Sequence, residues 1–418
     1  MKINRLWQLL MILLVLGLCF STAACDDDDD DDDDIVDDDD NDNDDTADDD
    51  TGDDDTSPEP TDATLESIVE DYATMFATVG ESMNEPQYFA DSTWQLHFGD
   101  GNMYGPSYDL ATYVLEGSSF HYDRAIEALD TNQAMVDDAA GSIIGLIQAM
   151  SDVEDISMAI MGLLEAQLFD DKPQYVESAE KLIGIVDPLV ALFGDYLPPE
   201  LGEFAGATYG PTAISSMIAM LHLGLALSDP PAEAALDVAR AEEVLAHIHA
   251  LAWSDELGAY RFAPDDDRLM LYPNATMLLA YGRTLLLGGD PAYADRIAAI
   301  YEGIQPLRDD AGDHYHSPYS REEAGAIDED YTTLSSQNYL MIGLWLAYVT
   351  TGEQKYLNDI DLILGWIETH LFVDGVIKHH WVNGRCADET DLYDFCSGCN
   401  LQTLYIYRMI QLEALVAK

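Results

Sequence analysis

The sequence predicts an all-α domain, a closed ring of helical hairpins, carried behind a secretory leader and an acidic tether. Three observations carry that prediction. From about Ala63 to Lys418 the apolar residues recur at helical spacing almost throughout. The helical stretches come in pairs joined by short turns. The longer loops between pairs share one pattern, which returns about every 55 to 65 residues.

The leader is expected over residues 1–24. Lys2 and Arg5 give it a basic start, Leu6–Phe20 an apolar middle, and Ser21-Thr22-Ala23-Ala24 a small-residue end before Cys25. The apolar run is shorter than the roughly 18–20 residues that span a bilayer as a helix. The Thr-Ala-Ala-Cys end resembles the lipobox of bacterial lipoproteins, with Thr22 where an aliphatic residue is usual. The resemblance implies that Cys25 is acylated and anchors the chain to a bacterial membrane of the cell envelope, with the domain outside the cytoplasm. A plain signal peptide cut nearby is the alternative.

Residues 25–62 are expected to be a disordered tether. They hold Asp26 to Asp34, Asp37 to Asp40 and then mixtures of Asp, Asn, Thr and Gly. Like charges repel along such a run and nothing in it builds a core. A calcium tract is the competing reading, but the fixed glycine turn and ligand spacing of a calcium loop are missing.

The acidity is not confined to the tether. It holds 23 Asp and one Glu, so 57 of the 81 acidic residues lie elsewhere. Nucleic acid is excluded as a partner, because phosphate backbones demand a basic surface. A neutral partner suits this surface better than a polyanion.

Of the five cysteines, Cys19 belongs to the leader and Cys25 to the anchor. Cys386, Cys396 and Cys399 remain, and an oxidising compartment makes a disulfide the default. Cys386–Cys396 or Cys386–Cys399 would staple the last long loop. Zinc is the alternative, since His379 and His380 precede a Cys-x-x-Cys; a second such pair is missing. No metal or cofactor is assigned.

The domain occupies residues 63–418. Its amphipathic stretches are Leu65–Val79, Asp123–Val136, Gly141–Phe169, Pro173–Phe193, Pro211–Leu227, Ala232–Leu251, Asn274–Leu287, Pro291–Ile304, Tyr331–Thr350, Lys355–Leu371 and Leu401–Val416. Pro173 and Pro291 suit a first turn, and Gly352 suits a left-handed helix end. Short turns at Leu287–Pro291 and Thr350–Glu353 occupy the same place in their pairs. The longer loops are Trp253–Tyr260, Arg308–Tyr315 and Phe372–His379; each reads aspartate, glycine, then an aromatic residue or histidine. No polar capping repeat is evident, so the hairpins are expected to close into a ring.

One stretch carries a wider resemblance: Asp330-Tyr331-Thr-Thr-Leu334, then Leu344-Trp-Leu-Ala-Tyr348, then Thr351-Gly352-Glu-Gln-Lys-Tyr356-Leu357. It resembles the six-hairpin (α/α)6 toroids, the group of six-hairpin glycosidases and sugar 2-epimerases, with Glu353 in place of an aspartate. The resemblance is best over Ala232–Leu371 and implies a toroid whose long loops ring a funnel.

Those loops carry the candidate site. Asp309, Asp310, His314, Tyr319, His379, Trp381 and Trp94 mix acids, imidazoles and aromatics, as sugar recognition requires. Paired carboxylates serve glycoside chemistry, and Asp328 and Asp330 form the best pair, with His316 as an alternative acid–base. The resemblance implies a carboxylate at the start of an inner helix, where Asp330 falls. Competing structural readings make Asp330 an N-cap and Asp255, Asp309 and Asp310 turn formers. His247 and His249 are expected to be packing or surface residues of a helix, and Met217, Met220 and Trp345 to be core. Two functions survive: a carbohydrate-active enzyme, hydrolase or lyase, and a non-catalytic surface protein that binds glycan or protein on the same scaffold.

Overall fold

A computed structural model describes residues 62–84, 89–90, 93–94, 100–141, 153–167, 172–192, 210–228, 231–264, 266–317, 319–320, 327–328, 331–382, 385–386 and 396–417. The leader, Cys25 and the aspartate run lie outside them. Thirteen α-helices occur among the described residues: α1 (Leu65–Asp71), α2 (Ala73–Met83), α3 (Asp100–Glu116), α4 (Ser119–Gly141), α5 (Val153–Ala166), α6 (Pro173–Leu192), α7 (Gly210–Ser228), α8 (Pro231–Ala252), α9 (Leu271–Leu286), α10 (Tyr293–Gly303), α11 (Leu334–Thr351), α12 (Gln354–Trp366) and α13 (Ser397–Val416).

The odd-numbered helices from α3 onward form an inner ring. α3 packs on α5, α5 on α7, α7 on α9, α9 on α11, α11 on α13, and α13 back on α3. The even-numbered helices from α4 to α10 lie outside them, each against its neighbours in sequence, while α12 packs on α11 and α2 on α13. This is the (α/α)6 toroid.

Burial explains the sorting. Every residue of α11 from Leu334 to Leu344 is buried, polar ones included. A helix covered on all sides belongs inside. By contrast α10 buries only Ile297, Ile300, Tyr301 and Gly303, one stripe at helical spacing. Two glycines let α9 and α11 approach closely. A Cβ on Gly282 would stand 2.6 Å from Leu346 Cβ, and one on Gly343 would stand 2.9 Å from Leu278 Cβ.

Helix boundaries follow local chemistry. α11 begins at Leu334, not Tyr331, because Thr333 is its N-cap and accepts from the Ser336 N–H at 3.2 Å. Residues 331–333 are a strand instead. Gly352 closes α11 in the left-handed region at φ 73°, its N–H donating to Tyr348 O. α12 runs into a π-helical turn at Ile367–Leu371. α3 is an addition to the expected helices, which left a gap between Leu65–Val79 and Asp123–Val136: it spans Asp100–Glu116 with Pro106 inside it. The Gly105-Pro106 pair has the look of a turn, yet burial from Met103 to Ala111 holds the segment helical.

The strands are short and confined to the connections: β1 (Phe89–Ala90), β2 (Thr93–Trp94), β3 (Trp253–Ser254), β4 (Ala259–Ala263), β5 (Asp266–Leu269), β6 (Tyr319–Ser320), β7 (Ile327–Asp328), β8 (Tyr331–Thr333), β9 (Phe372–Val373), β10 (Val376–Ile377), β11 (His380–Val382) and β12 (Arg385–Cys386). β11 lies antiparallel between β8 and β12, with Trp381 opposite Thr332 and Cys386. That sheet ties the two longest connections of the second half together.

Candidate binding site

Every connection from an outer helix to the next inner helix is long, and every return connection is short. The long connections therefore gather at one end of the toroid, around the N-termini of the inner helices.

A single device holds three of these connections. The fourth residue of α9, α11 and α13 is a buried amide: Asn274, Gln337 and Asn400. Asn274 accepts from Tyr260 N–H at 2.8 Å and donates to Tyr260 O at 2.9 Å. Gln337 does the same to Tyr315, accepting at 3.4 Å and donating at 2.6 Å. Asn400 brackets Ile377 at 2.8 Å both ways. Each clamped residue follows a left-handed glycine, Gly258 at φ 64°, Gly312 at φ 74° or Gly375 at φ 85°. The aspartate–glycine–aromatic pattern of the first two loops is thus the loop half of an amide clamp, and in the third loop the clamped residue is Ile377.

Between the clamped loops stands a cluster of rings at the rim. His314 stacks on Trp366 with centroids 4.1 Å apart and planes 11° off parallel. Trp381 meets Trp366 and His370 edge-on, at 6.0 and 5.0 Å. His316 lies 5.2 Å from His314, and His379 lies 4.2 Å from His380. Burial lowers the pKa of His314, with its Asp313 hydrogen bond opposing, and burial pushes His379 well down. Both imidazoles are therefore neutral near pH 7. His316 Nδ1, His314 Nε2 and His379 Nε2 have no hydrogen-bond partner among the described residues.

Asp309 is a turn former. Its carboxylate accepts from the N–H groups of Ala311 at 2.9 Å and Asp313 at 3.0 Å, which with the nearby His314 outweighs burial and lowers its pKa. Asp310 is exposed beside it. Asp309, Asp313 and His314 each bring a donor atom within 4.8 Å of the others. Those atoms serve the loop's own amides and imidazole, so the group reads as turn structure.

The backbones of Tyr319 and Asp328 pair across β6 and β7, and Trp94 pairs with Phe89 in β2. Their side chains, and all of Asp330, lie outside the described residues. Thr333 supplies the α11 cap, so Asp330 is not that N-cap. The cysteines differ from expectation: Cys396 bonds to Cys399 within the first turn of α13, Cα atoms 5.3 Å apart, and neither staples the loop to Cys386. Cys396 is also the N-cap of α13, its sulfur accepting from Cys399 N–H. A buried helix start satisfied this way draws the pair together. His249 is a packing residue, as its helical position implies; Nδ1 meets Tyr260 O–H at 3.0 Å. Met217 and Met220 are buried in the core, and Trp345 packs against it.

Below the mouth, the bore is filled by side chains that sequence patterns did not single out. Tyr104 meets Tyr405 at 5.7 Å and Tyr339 at 6.3 Å, and Tyr272 meets Tyr339 at 4.9 Å. Deeper, Arg283 of α9 pairs with Glu165 of α5, which also accepts from Ser107 of α3 at 3.2 Å. The only available signal was composition: a Glu in the apolar end of α5 and an Arg in the apolar end of α9.

No family model matches this sequence, and no curated protein aligns with it significantly. Solved structures do share its architecture. An α-mannanase of glycoside hydrolase family 76 from Bacteroides thetaiotaomicron superposes with a TM-score of 0.59 at 11% identity, covering 85% of this chain and 100% of its own. A cellobiose 2-epimerase from Bacillus thermoamylovorans gives 0.58 at 12%, covering 83% and 100%. An α-1,6-mannanase of Salegentibacter, an inactive variant with two consecutive aspartates replaced, in complex with α-1,6-mannotetrose, gives 0.54 at 11%, covering 82% and 99%. The chain has the fold of the six-hairpin (α/α)6 toroids.

Proposed function

We propose that this protein is a lipid-anchored, carbohydrate-active toroid of a bacterial cell envelope, hydrolase- or lyase-like, acting on a neutral glycan. The observation that carries the reading is the rim: the imidazoles of His314 and His316 gathered with Trp366 and Trp381 beside the inner-helix N-termini. Rings of this kind stack on the apolar faces of pyranoses. That the solved neighbours include a mannanase seen with mannotetrose supports a glycan as the ligand. Asp328 and Asp330 are the proposed carboxylate pair, one as acid and one as base or nucleophile. His316, with Nδ1 uncommitted, is the alternative proton carrier. Asp310, Tyr319, Trp94 and Trp381 would line the approach. Cys25 would hold the anchor and residues 25–62 the spacing from the membrane.

The test is hydrolysis of neutral oligosaccharides by wild type and by Asp330→Asn and Asp328→Asn. A hundredfold or greater loss of turnover is expected in at least one variant with binding retained, by analogy with the roughly 10²–10⁴-fold contribution of acid–base groups. Turnover unchanged in both would reject the pair. Binding without turnover in wild type would favour the non-catalytic glycan-binding alternative.

A further inference from the structure

Two of the inner helices, α11 and α13, leave polar groups unpaired near the mouth and close to one another in the ring. Gln402 of α13 is 0% exposed, and neither its amide oxygen nor its amide nitrogen has a hydrogen-bond partner among the described residues. Ser335 of α11 is 5% exposed, and its hydroxyl is also without one. A buried amide left unsatisfied costs stability, and a ligand that bonds to it there offsets that cost.

Their placement follows from helical phase. Tyr339 and Tyr405 point into the bore, where both approach Tyr104. Ser335 precedes Tyr339 by one turn, on the same face and nearer the mouth. Gln402 precedes Tyr405 by three residues, turned slightly toward α11. The two helices are registered by Asn338, which donates to Cys399 O at 2.8 Å and accepts from Thr403 O–H at 2.9 Å. Ser335 and Gln402 flank that bridge on its bore side. The backbone of His379 reaches the same end of α11, where its carbonyl accepts from Leu334 N–H at 2.8 Å, one residue before Ser335. Its Nε2 is unpaired as well.

We propose that Gln402, Ser335 and His379 form a specificity subsite at the foot of the funnel, which reads the hydroxyl groups of an uncharged sugar ring and rejects a uronate. The inference rests on the carbohydrate reading above and names the residues that select within it. An amide, a hydroxyl and a neutral imidazole can each donate and accept, which matches a ring bearing adjacent hydroxyls. A carboxylate would need a cation. Arg308 is committed to Asp359 at 2.8 Å, and Arg283, which pairs with Glu165 and leaves only Nη1 without a partner among the described residues, lies deeper in the bore. A site built to bond a hydroxyl also rejects a ligand that leaves its own groups unpaired.

The test uses the full chain, with Gln402→Met and Ser335→Ala. Binding is titrated with α-1,6-mannotetraose, cellobiose and trigalacturonate, and thermal melting is followed in parallel. Wild type is expected to bind a neutral probe and not trigalacturonate. Each variant is expected to weaken that binding at least tenfold while its melting temperature holds or rises by about 2 °C, since an unpaired buried group has been removed. A melting temperature that falls by about 5 °C or more in both variants means the groups have structural partners, and overturns the subsite. Neutral-probe binding unchanged in both variants overturns it too. Preference for trigalacturonate overturns the specificity and leaves the carbohydrate reading standing. Failure of wild type to bind any probe, with melting raised in the variants, rejects the carbohydrate reading and the subsite with it.

Discussion

Glu165 carries a carboxylate into the deepest part of the bore, where its side chain is 4% exposed and its counter-ion Arg283 is 11% exposed. Two charges taken out of water repay their desolvation only through each other and through added hydrogen bonds, here from Ser107. Removing one partner strands the other. Arg283→Met should therefore destabilise by about 3–5 kcal/mol. Adding Glu165→Gln to that variant should recover most of the loss, and urea denaturation of the three proteins measures both. Recovery of nothing would mean that Arg283 acts through packing alone. His314 and His379 give a second residue-scale prediction. Their folded pKa values lie below the ordinary 6.5, so the unfolded chain takes up protons first. Stability from this source is complete above about pH 6.5 and declines as pH falls from there toward the folded values. Melting temperature between pH 7.5 and 5.5 should fall, and the fall should be shallower in His379→Gln. An identical slope in that variant would remove His379 from the account.

At the scale of elements, the three amide clamps make a repeat of sequence into a repeat of structure. Each joins an inner helix to the loop that leads into it through two hydrogen bonds to one residue. Each such bond contributes about 1 kcal/mol net, and stranding the loop's own N–H and C=O adds to that. Asn400→Ala should cost about 2–3 kcal/mol. Hydrogen exchange should accelerate at Ile377 and its strand neighbours while α13 itself stays protected. Exchange accelerated across all of α13 would show that Asn400 holds the helix rather than the loop. The loop half of this device was legible in the sequence, because a left-handed glycine before an aromatic residue is a local signal. The helix half was not. Asn274, Gln337 and Asn400 look like isolated polar interruptions of apolar runs until the ring shows which way they face. The same holds for Gln402 and Ser335, whose roles depend on facing a bore that only six packed helices define. That His314, His316, His379 and Trp381 lie in long loops was readable from the breaks in helical periodicity, whereas their ring contacts with Trp366 and His370 depend on how those loops fold back. α3 was missed for an opposite reason: Gly105-Pro106 is a strong local turn signal that burial overrides.

The domain of residues 63–418 is a ring, and a ring depends on its closure. α13 packs on α3, and the first two helices are laid over the seam. Phe76 of α2 stacks on Tyr407 of α13 at 4.0 Å, and Tyr407 O–H donates to Val69 O at 2.8 Å. Ala63, the first buried residue, is held from both sides by α12: its N–H donates to Asn358 Oδ1 at 2.9 Å and its carbonyl accepts from Gln354 at 2.6 Å. Cooperative structure therefore reaches back to Ala63. Upstream of it the aspartate run offers little apolar surface to bury beyond Ile35 and Val36. A chain starting at Asp62 should accordingly melt within about 2 °C of the full-length protein, because nothing that builds the core has been removed. A chain starting at Asn84 loses α1, α2 and their cover over the α13 seam, and should fail to give a cooperative transition. Calorimetry on the two truncations separates these outcomes. A large drop in the first would mean that the tether packs on the toroid, and a cooperative transition in the second would mean that the inner ring closes without its outer cover.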